Sequence, residues 1–499
     1  MSSYDLLTEG WIPVARAKDG SFAAVSLTEV LATPSEFAAL ADANPLAEIA
    51  TLRLLLAIVQ AALNGPTKDD DRLRQFRQGF PADEVAGYLE THRTCFDLFH
   101  PTAPFFQDHT LLSSLAERNS KATASSQMRP RPAVDLGFPQ MAAAQKILHS
   151  HAHHGANRVL DAGEAARLLL AHQAFARAGK VQIGGSAKIS PLSGALVVAP
   201  EGRNLAETLL LSLHVRNSMG SPVWTGSVSG WLGRLTWPSR RILLFSDDTG
   251  RHVTHVIIGT GRPPPEKIAN REPMFAYRRA KNANRYRVLV QPERATWRDV
   301  TALYQSDHAN QMGAEILTEA ALLLRHTDPD LRSRMAAVNV YGAPGGAQKD
   351  TPALWIRDRF PLPVEFLTPG SPAVAALSGR LDEADRVDAA LQKQLAAAFR
   401  RGNKDLKLKR DYRPTVRPLA SYWWAVEPAF RVLLAQYAAQ PLNWAHLDAA
   451  SEVWADAVRV AALDCFAKAT QAIALSPRSA PALVRARLDL ERQLTKIFS

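Results

Sequence analysis

Cysteine is almost absent from this sequence. Only Cys95 and Cys465 occur in 499 residues, far apart and each within an apolar stretch, which excludes a disulfide framework and a paired-thiolate metal site and fits a reducing cytoplasm. An uninterrupted apolar run of about 18 residues is also missing, as is a basic-then-apolar leader, so neither a membrane span nor a signal peptide is expected. There is no Gly-x-x-x-x-Gly-Lys-Ser/Thr phosphate loop, Gly-x-Ser-x-Gly elbow, His-Glu-x-x-His helix or Cys-x-x-Cys pair. The chain therefore lacks the usual sequence frames of phosphate-loop ATPases, serine hydrolases and zinc peptidases, and no enzyme activity or cofactor is expected.

What is present is an ordinary globular composition, 46% hydrophobic and 21% charged, long enough for two or three domains. The formal net charge of +11 is local. Residues 271–287 carry Arg271, Arg278, Arg279, Lys281, Arg285 and Arg287 against Glu272, and residues 400–417 carry eight basic residues, Lys404, Lys407, Lys409 and Arg410 among them, against two acids. Those two segments hold the whole excess; the rest of the chain is balanced at 45 basic and 45 acidic residues. Concentrated positive charge attracts polyanions by Coulomb steering and counterion release, which points to nucleic acid, although a solvated basic loop has the same composition.

The pattern along the chain predicts an α+β protein: a large mixed α/β N-terminal domain over 1–367 and a C-terminal four-helix bundle over 368–499. Leu46, Ile49, Leu52, Leu56, Val59 and Leu63 recur at helical spacing between Pro45 and Gly65-Pro66. The aromatic, proline-punctuated stretch 96–107 predicts packed turns, and the Ser/Lys/Arg/Pro-rich stretch 118–133 a mobile loop. Asp161 and Glu164 suit the start of a helix reaching about Ala178. Clusters of β-branched and aromatic residues predict strands at 195–199, 231–237, 241–246, 252–258, 285–291 and 336–341, with a helix at about 310–326. From about 371 the pattern is helical, over roughly 371–400, 418–438, 446–475 and 479–498, with Leu381, Leu391, Leu395, Val432, Leu433, Val458, Leu463, Leu483, Leu490 and Leu494 as core.

Candidate chemistry is sparse. His149, His151, His153 and His154 are the one cluster of metal-ligand type, and they frame an alternative reading as a metal-dependent nuclease or hydrolase. No carboxylate or thiolate stands at useful spacing, however, and no metal is expected. Gly184, Gly185, Ser186 and Lys188 make a loop through which backbone can approach a phosphate or a groove; an ordinary helix-to-strand turn has the same sequence. Gly345, Gly346, Gln348 and Lys349 present a glutamine on a glycine hinge, suited to base edges or to insertion between base pairs; taken alone the segment reads as an ordinary loop. Phe275, Tyr277 and Tyr286 are interleaved with arginines, for stacking on bases or as strand core.

Several of these stretches, in order along nearly the whole chain, resemble the CasA family, the large subunit of the type I-E CRISPR surveillance complex Cascade. They are Tyr4–Val14 (YDLLTEGWIPV), Val25–Leu31 (VSLTEVL), Phe99–Gln107 (FHPTAPFFQ), Gly184-Gly185, Trp231–Trp237 (WLGRLTW) and Glu272–Arg278 (EPMFAYR). The resemblance implies a non-catalytic subunit that recognises the protospacer-adjacent motif (PAM) in double-stranded DNA, helps open the duplex and recruits a helicase-nuclease. It implies other Cascade subunits and the 5′ end of the CRISPR guide RNA as further partners, and no membrane. Carried over by position, the family's glycine loop falls on Gly184, Gly185 and Ser186, its glutamine wedge on Gln348, and its basic finger on Arg262 or Lys267. Its anchor loop for guide RNA and the neighbouring subunit falls on Asn157 and Leu160.

Overall fold

The computed structural model describes residues 3–137, 159–263, 272–279, 285–292, 294–304, 311–325, 335, 337–345, 354–368, 370–402, 418–471 and 479–499. The chain divides into two compact units, Met1–Pro292 with Gly313–Phe360, and Glu293–Met312 with Pro361–Ser499.

In the first unit, strand β1 (Ile12–Arg16) lies between β2 (Phe22–Val25) and β3 (Phe37–Leu40). Helix α1 (Pro45–Leu63) begins where Asn44 accepts a hydrogen bond from Leu46 N at 3.0 Å and proline occupies the first turn; it ends at a left-handed Asn64. The proline was visible in the sequence as the start of the helix; the Asn44 cap emerges with the structure. Among the described residues this is the one helix long and apolar enough to cross a membrane, yet 83% of its apolar window is buried inside the protein, so it serves as the central core helix. Three of its buried polar side chains are paired: Arg53 with Glu272 at 2.7 Å, Glu48 with Tyr341 Oη at 2.7 Å, and Gln60 with His214 O at 2.8 Å and Trp231 Nε1 at 2.6 Å.

Helix α2 (Ala162–Phe175) starts as expected, with Asp161 Oδ1 accepting from Gly163 N at 2.8 Å and Glu164 N at 3.2 Å. It ends before Ala178 because Ala176 is already extended and Gly179–Lys180, strand β4, pairs with β5 (Ser186–Ala187). Next come β6 (Val197–Glu201), the long antiparallel pair β7 (Arg240–Ser246) and β8 (His252–Thr260), the hairpin β9 (Tyr277–Arg279) and β10 (Arg285–Arg287), helix α3 (Glu315–Arg325), and strands β11 (Ala337–Gly342) and β12 (Ile356–Pro361), β11 lying between β12 and β6.

One sequence expectation fails in this unit and another is sharpened. The strand expected at 231–237 is a helix, Gly230–Leu235. Trp231, Leu232, Gly233 and Leu235 are all buried rather than alternating, and Thr236 Oγ1 donates to Leu232 O at 2.8 Å across one helical turn. The stretch 118–133 is irregular and mostly exposed over 121–130, as expected of a loop, but its C-terminal end is tied down. Asn119 donates to Met128 O and accepts from Met128 N, both at 2.8 Å, Arg131–Pro132 pairs with β8, and Met128 leans on the cluster Leu111, Ile183, Leu243 and Ile257.

The second unit is a four-helix bundle of α4 (Pro372–Gly402), α5 (Pro418–Ala439), α6 (Trp444–Thr470) and α7 (Ser479–Ile497), with α4 packed on each of the other three. Leu391, Leu395, Leu433, Val458 and Leu490 are buried as expected. Val432 is not: it is 52% exposed, on an outer stripe with Trp424 and Pro428 at i, i+4, i+8, because one residue along a helix turns the side chain by about 100° away from Leu433. Leu463 and Leu483 are half-buried. The observed unit also reaches beyond the span 368–499. Trp297 stacks on Phe430 with centroids 4.5 Å apart, and the Arg298 guanidinium lies 3.4 Å from the Trp423 ring centre while donating to Asp385 at 2.6 Å. Aromatic burial of this kind ties 293–312 to the helices.

Candidate nucleic-acid interface

The β4–β5 hairpin turns through Gly184 and Gly185, at φ +89° and +88°, a region that side-chain-bearing residues avoid. Val181 N donates to Gly185 O at 2.9 Å, closing the turn. Gln182 fastens it to β8: its backbone N donates to Ile258 O at 2.9 Å, its Oε1 accepts from Ile258 N at 3.0 Å, and Ile183 O accepts from Thr260 N at 2.9 Å. The two glycines differ. A Cβ on Gly184 would run into Thr260 Oγ1, whereas one on Gly185 would meet nothing within 4 Å. Gly184 therefore lets the loop lie on the strand, and Gly185 sits at an open tip with exposed Ser186 and Lys188 beside it.

Arg262 is exposed two residues beyond Thr260. Its backbone is held by Pro238 O at 3.2 Å and by Trp237 Nε1 at 3.2 Å. One strand end thus carries both the glycine turn and the first candidate for the basic finger.

The segment after the hairpin roots two further elements. Gly194 N donates to Ala343 O at 3.0 Å, and a Cβ on Gly194 would come within 2.9 Å of Gly345 Cα, so the stem of the 345–349 loop rests on bare backbone. Leu196 N donates to Val288 O at 3.0 Å and Val198 N to Met274 O at 2.8 Å, which seats the basic hairpin β9–β10 on the same segment. The sequence shows none of this proximity, because the partners lie about 75 to 150 residues apart.

The profile of the family described as CRISPR-associated protein Cse1 matches residues 5–465. This chain belongs to the CRISPR-associated Cse1 (CasA) family. It is 30% identical over an alignment of 529 residues to the CRISPR-associated protein CasA/Cse1 of Thermus thermophilus, covering 100% of this chain and 98% of that one. Its fold is similar to the structure of Thermus thermophilus CasA (Cse1), at TM-score 0.79 and 27% identity over 99% of this chain and 100% of the other. It is also similar in fold to a chain of a CRISPR RNA-guided surveillance complex, at TM-score 0.77 and 18% identity with both chains covered in full.

In this Cse1-family chain the aromatics of the first basic segment differ in burial. Phe275 is core, 4% exposed, with the Arg287 guanidinium 6.0 Å from its ring centre, while Tyr286 is 50% exposed. Arg278 is half-buried. The side chains of Arg279 and Arg285 lie outside the described residues, as do Lys267, Lys281, Gln348, Lys349, Lys404, Lys407, Lys409, Arg410, Asn157 and the histidines 149, 151, 153 and 154. Leu160 is 3% exposed and pairs with Val253 of β8, so its side chain packs within the chain. The Glu272–Arg278 motif serves packing too: Glu272 is the buried partner of Arg53.

One cluster escaped sequence reasoning, because its members are about 100 residues apart. His214, Glu315 and Glu319 lie within 4.8 Å of one another, with His214 Nδ1 2.8 Å from Glu319. Arg216 reaches both carboxylates, at 2.9 and 3.4 Å, and Arg72 lies 3.8 Å from Glu319. Burial pushes the Glu319 carboxyl up, but His214 and the two arginines outweigh it and hold it below its ordinary value. With both carboxylates already neutralised, the arrangement staples α3 to the 211–216 segment.

Proposed function

We propose that this chain is the large, non-catalytic subunit of a CRISPR RNA-guided surveillance complex, in which it senses the PAM in duplex DNA and starts strand separation. The observation that carries the reading is the common footing of the glycine turn, the stem of the 345–349 loop and the basic hairpin on residues 181–198. A duplex laid against the exposed Gly185 tip meets backbone with no Cβ to hold it off, so the groove can come close. Minor-groove contact reads a degenerate pattern, which suits tolerance of several related PAMs. Gln348 then enters the duplex from a loop whose stem rests on Gly194, and the arginines of β9–β10 with the 400–417 segment hold backbone phosphates. Unstacking one base step costs on the order of a few kcal/mol, which such phosphate contacts offset.

The same reading gives the chain a guide-RNA 5′ end and other complex subunits as neighbours, and a helicase-nuclease as the enzyme recruited once the duplex is open. The test is a complex reconstituted with Gly185→Asp and Gln348→Ala together. Duplex opening is expected to be abolished with assembly intact; normal opening by that variant overturns the assignment.

A further inference from the structure

The glycine hairpin is ringed by cations that the basic segments do not include. Arg118, exposed on the helix Thr110–Ser120, donates from Nη1 to Gln182 O at 3.1 Å. Arg129 is exposed next to Met128 in the 118–133 stretch, and its carbonyl accepts from Gln182 Nε2 at 2.9 Å. Arg241, half-buried on β7, donates from Nε to Thr260 O at 3.1 Å and from Nη1 to Thr110 Oγ1 at 3.3 Å. Three separate elements therefore bring an arginine to Gln182 or Thr260, the two residues that seat the turn.

Among the described residues none of these three arginines has a carboxylate within ion-pair reach, and neither do Lys180 and Lys188 on the hairpin itself. Their neighbours are neutralised: Lys121 by Glu117 at 2.7 Å and Arg131 by Asp135 at 3.9 Å. Positive charge is left uncompensated on the side that faces the glycine turn.

We propose that Arg118, Arg129 and Arg241 form a phosphate-contacting rim that grips the sugar-phosphate backbone of duplex DNA on either side of the glycine turn. The inference rests on the reading that this turn meets duplex DNA. A guanidinium has five N–H donors, so Arg118 and Arg241 keep donors for a phosphate after bonding to backbone carbonyls, and those bonds restrain the side chains before the ligand arrives. The glycine tip supplies close approach and the rim supplies orientation. The rim carries no sequence information of its own.

Phosphodiester groups also occur in guide RNA, and the experiment separates the two sources. The assembled complex is prepared with wild-type chain, with Arg118→Ala/Arg129→Ala, with those two plus Arg241→Ala, and with Arg118→Lys/Arg129→Lys, and the dependence of duplex affinity on salt is measured for PAM and non-PAM duplexes. Each lost phosphate contact lowers the slope of log K against log salt by about 0.9, so the triple variant should lose about 2 to 3 units of slope, the double about 1 to 2, and the lysine pair little. The ratio of PAM to non-PAM affinity should stay at the wild-type value. An unchanged slope in the triple variant, beside a wild type that still prefers PAM duplex, overturns the rim and leaves the hairpin reading standing. A wild type with no PAM preference overturns both. Loss of guide RNA from the double variant during purification overturns the duplex assignment in favour of RNA.

Discussion

Gly184→Ala separates two demands that the structure places on one residue. At φ +89° an alanine lies beyond the narrow left-handed well, a cost of about 1–2 kcal/mol. Its Cβ would also collide with Thr260 Oγ1, and turning that side chain off its rotamer costs about 1 kcal/mol more. The hairpin should thus be destabilised by about 2–3 kcal/mol, or roughly 30- to 150-fold in its opening equilibrium. Gly185→Ala carries the backbone cost alone, about 5- to 30-fold, since nothing lies within 4 Å of the added methyl. Hydrogen exchange at the amides of Val181 and Thr260, which bond to Gly185 O and Ile183 O, reads this opening directly. Adding Thr260→Ala to Gly184→Ala should return the rate to the Gly185→Ala range. Equal exchange in the two single variants refutes the packing argument. For duplex DNA the order should invert: Gly185→Ala should weaken PAM binding more than its exchange accounts for, because the methyl stands where the groove approaches. A loss fully explained by exchange refutes that contact.

Three further outcomes follow from the buried groups. Glu272→Gln leaves the Arg53 guanidinium, itself 3% exposed, without its countercharge, so thermal unfolding should show a loss of about 3–5 kcal/mol; an unchanged midpoint refutes the pairing. Burial pushes the Glu48 carboxyl up to about 7, against the pull of Tyr341 and of Arg357, which is half in solvent at 3.1 Å. Because the folded state then holds a proton that the unfolded chain releases near pH 4.5, stability should fall as pH rises from about 4.5 to 7, by about 3 kcal/mol in all. Glu48→Gln keeps an acceptor for Tyr341 and lacks that titration, so its melting temperature relative to wild type should climb over this window; a flat difference contradicts the assignment. Trp297→Ala should cost about 3–5 kcal/mol and make 418–471 more sensitive to limited protease digestion, whereas unaltered digestion would detach 293–312 from the helical unit.

Local signals made much of this legible. Pro45 and Asp161 announced their helices, and the helical pattern after 371 matched the four observed helices to within a few residues. The failures have one cause, which is that tertiary packing decides what composition leaves open. Residues 118–133 are the exposed loop their composition suggests, but what holds Met128 down, a cluster built from 111, 183, 243 and 257, is invisible in the sequence. Trp231–Trp237 reads as a strand until both faces are buried. At the candidate interface the glycines were visible and their division of labour was not, because that depends on Thr260, about 75 residues away. The rim arginines were invisible for the same reason: charge counting finds clusters in sequence, while Arg118, Arg129 and Arg241 cluster only in space.

The central claim, that residues 181–198 organise PAM sensing and duplex opening, is tested most directly in a complex reconstituted with guide RNA and a duplex carrying a fluorescent base analogue next to the PAM. The wild-type chain should bind the PAM duplex in preference to a PAM-less one and unstack the analogue. Gly185→Asp should lose both responses with the complex still assembled, and Gln348→Ala should lose chiefly the second. Equal binding of the two duplexes by the wild-type complex, or full unstacking by Gly185→Asp, would contradict the account.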